Sequence, residues 1–408
     1  MASLALVISL SSARRWPLVP PASASSSRAS TPVPASPRPS SSSPGARRVP
    51  RSHGVRADQK DSPGGPEYLM TLAIGTPPLS YPASFDTASD LIWTQCAPCG
   101  GRCFPQPTPL YNPASSATFH AATETFTFGS SPACQARVPG ITFGCSNANS
   151  RSDFNGSSGL VGLGRGPLSL VSQLAAGRFS YCLTPFQDAS STSTLLLGKS
   201  AALSGASVRS TPFVANPSRF PMRVFYYLNL TGISLGTKVL PIAPDAFSLK
   251  ADGTGRIIID SDTTVTSLED AVYQQIRAAV LSLVTLPTTN GSSAMGLDLC
   301  FALPSPTSAP PAMPSMTLHF EGADMVLPAD SYMISESGLW CLAMQNQTYG
   351  VYQQQNMHIL FDVRKETLSS LYFILRFEMY DRALALRLKR KDENSNMHGP
   401  SLTGYSHM

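Results

Sequence analysis

Apolar and polar positions alternate over short stretches of this chain, and the stretches end at turn residues. Tyr68-Leu-Met-Thr-Leu-Ala-Ile reads as a strand that stops at Gly75-Thr-Pro-Pro, because Gly and Pro supply turn geometry and Pro cannot donate to a ladder. Residues 83–93 (ASFDTASDLIW) read as strand, tight turn, strand, and residues 123–128 and 141–143 as further strands. Gly159-Leu-Val-Gly-Leu-Gly-Arg-Gly166 leads into a short helix over 167–174 with Pro in its first turn. A second half opens near Ser210. Residues 224–230 and 232–240 predict strands, and 256–264 predict an apolar strand ending in a polar turn. Residues 270–283 carry apolar side chains at helical spacing, and 316–320, 325–327, 332–334 and 340–344 return to strands.

Composition favours the same β-rich picture. The 408 residues allow two or three domains with a sizeable core. Charged residues are 13% of the chain, and Pro (36) and Gly (29) are frequent, which disfavours long helices. No apolar run is long enough to predict a membrane span. The net charge of +5 is misleading, because residues 1–57 hold eight Arg and no acid, which leaves a slightly acidic body. A nucleic-acid-binding body is therefore not expected.

Residues 1–57 form a Ser/Pro/Arg-rich leader that cannot bury enough apolar area to fold, so an unstructured, removable segment is expected. Its ASLALVISL run suits a weak secretory signal, leading to secretion or an endomembrane lumen, while its acid-free Ser/Arg texture also suits a plastid transit peptide. Eight Cys (96, 99, 103, 134, 145, 182, 300 and 341) form an even set, which suggests disulfides of unspecified pairing. Cys96-x2-Cys99-x3-Cys103 could instead begin a zinc site, but a fourth ligand is required and no His lies near it in sequence. No metal or cofactor is expected. Asn155, Asn229, Asn290 and Asn346 are candidate glycosylation sites.

A repetition carries the chemistry. One apolar strand runs into Phe85-Asp86-Thr87 and another, in the second half, into Ile259-Asp260-Ser261. A single Asp-hydroxyl pair is an ordinary turn opener. Two such pairs, one in each β-rich half, predict a duplicated lobe in which each copy gives one carboxylate to a shared cleft. Two carboxylates at hydrogen-bond distance share a proton. One can then deprotonate a water while the other protonates a carbonyl, which hydrolyses a peptide bond without metal or covalent intermediate. Thr87 and Ser261 would fix the two turns.

With these residues in view, the chain resembles the plant pepsin-like aspartic proteases of the nepenthesin type over roughly residues 66–368. The motifs that carry this are EYLMTLAIGTPP, FDTASDLIWTQCAPC, ATETFTFG, ITFGC, SGLVGLGRGPLSLVSQL, RFSYCL, FYYLNLTGISLG, GRIIIDSDTTVTSL, LDLCFALP and YQQQNMHILFDV. The resemblance implies an all-β, bilobal pepsin-like (acid protease) fold with a cleft between the two lobes. Residues 66–203 would form the first lobe, 208–370 the second and 371–408 an atypical tail. It implies a monomeric endopeptidase acting on a polypeptide substrate at acid pH, with Asp86 and Asp260 as the catalytic pair and no cofactor. Cys300 and Cys341 match positions that look disulfide-bonded in the family.

Four departures from the family qualify this. Ala88 stands where the first motif has Gly. Asp262 stands where the second has Gly, adding bulk and a like charge beside the pair. YNPASSATFH runs straight into AATETFTFG, where the family inserts a Cys-rich segment and a flap hairpin whose Tyr closes over substrate. That loss would take partners from Cys96, Cys99, Cys103 or Cys145. Finally, the family's last strand and Cys are replaced by a tail with helical spacing over 368–389, which leaves Cys182 without a mate, and Val351 stands where Asn usually follows Gly350. The alternative to an enzyme is therefore a catalytically inactive homologue that binds peptides or proteins.

Overall fold

The structure, a computed structural model, describes residues 5–12, 53–55 and 68–372, apart from 130–134, 150–155, 186–192, 206, 218–221, 249, 251–255, 264, 292–295 and 346–351. Cys134, Asn155, Asn346, Val351 and residues 373–408 thus lie outside the described residues.

The fold is all-β and bilobal. In the first lobe, Tyr68–Ile74 pairs antiparallel with Leu79–Asp86 and with Thr123–Phe128. Alternate residues Tyr68, Met70, Leu72 and Ile74 are buried, as the alternation of the sequence requires. In the second lobe, Leu230–Leu235, Met316–Phe320 and Ala323–Leu327 form one meander. Thr288–Gly291, Leu297–Ala302, Leu339–Leu342 and Met333–Glu336 form another sheet. The helix Asp270–Leu281 buries Val272, Tyr273, Ile276, Ala279 and Val280, the stripe its spacing predicts. The expected single strand over 232–240 is instead a hairpin, because Gly236 adopts φ +59 and turns the chain between Leu230–Leu235 and Lys238–Val239.

A central sheet joins the halves. Arg178–Cys182 of the first half pairs with Met357–Asp362 of the second, with Phe179 opposite Phe361. Those two rings stack with centroids 4.5 Å apart, and Tyr226 packs edge-on against Phe361. Tyr181 packs against Phe361 and edge-on against Phe85, so this buried aromatic joint borders the end of the Asp86 strand.

Two expectations about the chain ends change. The leader is not without structure throughout. Ala5–Ser12 lies antiparallel between Ser193–Gly198 and Tyr68–Ile74, and His53–Val55 runs parallel to it. Each flanking strand has a row of main-chain groups that its other neighbour does not use, and a third backbone satisfies both rows. Likewise, the helical spacing that starts at residue 368 does not produce a helix there. Thr367–Tyr372 is a strand held between Met357–Asp362 and Arg209–Val214, so ladder pairing overrides the local periodicity.

The connection in which the resemblance implies a missing flap is a tight reversal. His120 and Thr123 exchange main-chain hydrogen bonds of 3.0 and 2.8 Å. Ala121 (φ 39) and Ala122 (φ 71) between them are both left-handed. A two-residue hairpin turn with positive φ at both centres favours Asn-Gly, and alanine is strained there. Next to this turn, Glu124 is fully buried and accepts bonds from Tyr111 Oη (2.5 Å), Ser116 Oγ (2.6 Å), Thr118 Oγ1 and its neighbour's N–H, which pins the shortened connection to the sheet. The double variant Ala121→Asn/Ala122→Gly is expected to stabilise the fold by about 1 kcal/mol, read as a higher denaturant midpoint at unchanged slope.

Four of the cysteines also differ from expectation, while Cys300, Cys341 and Cys182 follow it. Cys96 bonds to Cys145 and Cys99 to Cys103, so the four do not lose partners with the missing segment, and their thiols are not available to a zinc ion. Cys300 and Cys341 are bonded across directly paired strands. Cys182 is free, and burial pushes its thiol up to about 11, which makes it a poor nucleophile.

Candidate active site

The strand Leu79–Asp86 ends at Asp86 and runs parallel to Gly159–Gly162, with Asp86 opposite Gly162. The chain then turns and returns as Ile92–Gln95 alongside the same strand. Close passage explains the glycine-rich stretch. A Cβ on Gly159 would lie 2.1 Å from the Trp93 carbonyl oxygen, and one on Gly162 would lie 2.6 Å from the Asp90 carbonyl carbon. In the second half, Ile257–Ile258 leads to Asp260, and Thr266–Ser267 follows the turn and pairs parallel with Met344–Gln345. The strand pairings around the two Asp-bearing turns differ, but the turns meet where Thr87 bonds to Ser261.

The two turns brace each other symmetrically. Thr87 N–H donates to Ser261 Oγ (3.1 Å) and Ser261 N–H donates to Thr87 Oγ1 (3.0 Å). The Thr87 hydroxyl then donates to the Ile259 carbonyl (3.1 Å), and the Ser261 hydroxyl to the Phe85 carbonyl (2.8 Å). Each hydroxyl residue expected to fix its own turn therefore fixes the opposite one. All four bonds are buried, where an unmade bond would be costly, so the two turns hold one relative position.

The carboxylates sit on this brace. Asp86 and Asp260 are both 6% exposed, and they face each other closely enough that the charge of Asp260 opposes ionisation of Asp86. Asp86 also accepts from the Ala88 N–H (2.6 Å) and the Ser89 hydroxyl. Asp260 accepts from the Asp262 N–H (2.9 Å) and the Thr263 hydroxyl. Burial first, and then the charge of Asp260, push Asp86 up to about 7; burial also raises Asp260. The pair therefore retains a proton well above the usual carboxylate range. Neither Ala88 nor Asp262 has positive φ, so the loss of Gly at these positions does not strain the backbone.

Several site residues were not legible beforehand. Ser89 and Thr263 each lie three residues after an Asp, and the repeated pattern Asp-hydroxyl-x-hydroxyl was the available signal. Gln354 donates to the Asp260 carbonyl (2.5 Å) and accepts from the Tyr181 hydroxyl, tying the second turn to the central sheet. Only the fold brings these together. Of the glycosylation candidates, Asn229 is half-buried with its amide on Glu321 (3.2 Å), and Asn290 lies in the strand Thr288–Gly291. Elsewhere, Ser234, His319 and Asp324 form a hydrogen-bonded row (2.7 and 2.8 Å) across the second-lobe meander. Ser234 is buried near the end of a strand paired on both sides, opposite Val239 and Thr317. We read this row as a cross-strand strut.

The comparisons with known proteins agree with this geometry. The xylanase inhibitor N-terminal family model matches residues 68–123 and 120–199, and the xylanase inhibitor C-terminal model matches 225–370. The two N-terminal segments meet at the Ala121–Ala122 turn. Aspartic proteinase nepenthesin-1 of Nepenthes gracilis is 41% identical over 350 positions, covering 75% of this chain and 77% of that protein. Those 350 positions exceed three-quarters of the 408 residues, so the relative carries residues that this chain skips. Aspartic proteinase nepenthesin-2 of the same plant is 38% identical over 353 positions, with the same two shares covered. Among solved structures, edgp (19% identity, TM-score 0.57, 74% of this chain and 91% of that one) and soybean basic 7S globulin (18%, 0.54, 74% and 92%) share the fold. The chain belongs to the nepenthesin-type plant aspartic proteinases of the pepsin-like family.

Proposed function

We propose that the chain is an aspartic-type endopeptidase in which Asp86 and Asp260 share one proton and activate a water between them. The observation that carries this is the buried pair of facing carboxyl groups held by the Thr87–Ser261 brace. In the resting pair, the ionised carboxylate takes a proton from the water as it attacks the scissile carbonyl. The protonated partner gives its proton to the carbonyl oxygen, and the pair ends with one proton, ready to protonate the leaving amine. The N–H and hydroxyl donors on each carboxylate keep both oriented without reorganising. The short Ala121–Ala122 turn stands where a flap would cover substrate, so positioning and water exclusion are weaker and turnover is expected to be slow.

A second reading is a catalytically inactive homologue that binds peptides or proteins, favoured by the same shortened connection. Three disulfides support an oxidising compartment, in keeping with secretion or an endomembrane lumen rather than a plastid. The two readings separate in one assay. The full chain, produced under oxidising conditions, is incubated with acid-denatured haemoglobin from pH 3 to 7, with and without pepstatin. Pepstatin-sensitive fragments are expected; a folded protein that leaves the substrate intact supports the binding homologue instead.

A further inference from the structure

Asp262 departs from the family by adding bulk and a like charge beside the pair, and the structure gives it a partner. Its carboxylate turns toward the first lobe and accepts the hydroxyl of Ser84. Ser84 lies on the Asp86 strand, two residues before it, and is fully buried. The Ser84 N–H is itself held by Ser157 Oγ at 3.1 Å. The Asp262 N–H donates to Asp260 Oδ1 at 2.9 Å. One residue thus links the strand that carries the first aspartate to the carboxylate of the second.

The counterpart position makes the contrast. Ala88 supplies the same N–H bond, to Asp86 Oδ1 at 2.6 Å, but its methyl group cannot reach across. The Thr87–Ser261 bonds brace main chain and turn hydroxyls. The Ser84–Asp262 bond is a fifth crossing tie, and it ends on a residue that touches a carboxylate of the pair. A hydroxyl bonded to a carboxylate is charge-assisted and stronger than a neutral bond. It holds residues 260–263 in place from the opposite lobe.

We propose that Asp262 is a positioning residue for the aspartate pair, acting through Ser84 to hold the Asp260 turn against the first lobe. The inference rests on the reading of Asp86 and Asp260 as the catalytic pair. Its sharpest consequence is that installing the Gly expected from family resemblance impairs the enzyme.

The test compares Asp262→Gly, Asp262→Asn, Ser84→Ala and the double variant Ser84→Ala/Asp262→Gly. The readouts are kcat and KM on acid-denatured haemoglobin, pepstatin affinity by calorimetry and cooperative thermal unfolding. Asp262→Gly and Ser84→Ala are each expected to lower kcat roughly tenfold, with KM within about twofold. Asp262→Asn keeps an acceptor oxygen and is expected to stay within about threefold of the parent. The double variant should be no worse than either single one, because both remove the same bond. If Asp262→Gly does not unfold cooperatively, Ser84→Ala carries the test. An Asp262→Gly enzyme as fast as the parent, an Asn variant as slow as the Gly variant, or additive losses would overturn the proposal. A parent protein that neither cleaves nor binds pepstatin removes the catalytic reading, and this inference with it. A parent that cleaves while the variants match it removes this inference alone.

Discussion

Replacing Asp86 with Asn is expected to lower the rate of peptide cleavage by about 10³–10⁴-fold while the protein still folds. The amide is isosteric: its oxygen can keep the bond from the Ala88 N–H, and its NH2, in place of the oxygen that accepts from Ser89, can donate to the Ser89 Oγ instead, but it can neither take a proton from water nor give one to a carbonyl. Asp260→Asn should do the same, because the two carboxyl groups act as one proton-sharing unit. KM should change far less than kcat, since the substrate is held mainly by the cleft walls. The parent enzyme should lose activity as pH rises through about 7, where the pair loses its shared proton. An Asn variant with undiminished, pepstatin-sensitive cleavage would place the chemistry elsewhere.

The second large effect is on stability against pH, where two buried groups pull in opposite directions. The folded-state value of the pair is raised, so its contribution is fully present below the ordinary carboxylate value of 3.8 and is lost as pH rises toward about 7. This contribution is on the order of 4 kcal/mol. His358 in the central sheet is buried, with its Nε2 2.9 Å from Ser180 Oγ, and burial lowers it from 6.5 to about 4. Its contribution is therefore present above 6.5 and lost as pH falls through about 4, on the order of 3 kcal/mol. Glu124 acts in the same direction as His358. Its burial is outweighed by donors from Ser116, Thr118, Tyr111 and Thr125, and it is held below the usual carboxylate range. Between pH 4 and 7 these effects largely cancel in the parent chain. The variants separate them. Asp86→Asn should leave the protein more stable at neutral than at acid pH, and His358→Gln should leave it more stable at acid pH. Denaturant midpoints measured at pH 4.5 and 7 for the three proteins check this, and parallel pH dependence in all three would contradict it.

Much of the fold could be read from residue order. The alternation in Tyr68–Ile74 and the stripe on Asp270–Leu281 report local geometry and burial together, so pattern and structure coincide. The duplicated Asp-hydroxyl turns exposed the candidate pair because each copy is a contiguous tripeptide. Elements whose state depends on distant partners were not legible. Thr367–Tyr372 carries helical spacing yet is a strand, because two neighbouring strands offer it a ladder. The run at Ala5–Ser12 is a strand for the same reason. Nothing in the order of residues shows that Tyr181 and Gln354, 173 positions apart, meet behind Asp260.

By itself the sequence determined the all-β plan in two halves and marked the two Asp-hydroxyl turns, which are properties of composition, periodicity and contiguous motifs; the shortened connection before Glu124 stands out only against the family that the chain resembles. Only the tertiary structure decided how the pair is held: that Thr87 and Ser261 brace each other's turns, that Asp262 answers to Ser84 rather than standing as an unpaired charge, and that Cys96, Cys99, Cys103 and Cys145 pair among themselves. Hydrogen bonds and disulfides act over a few ångströms in space, so the partners of Thr87 and Ser84 are set when the two lobes meet, and those of the four cysteines when the first lobe folds.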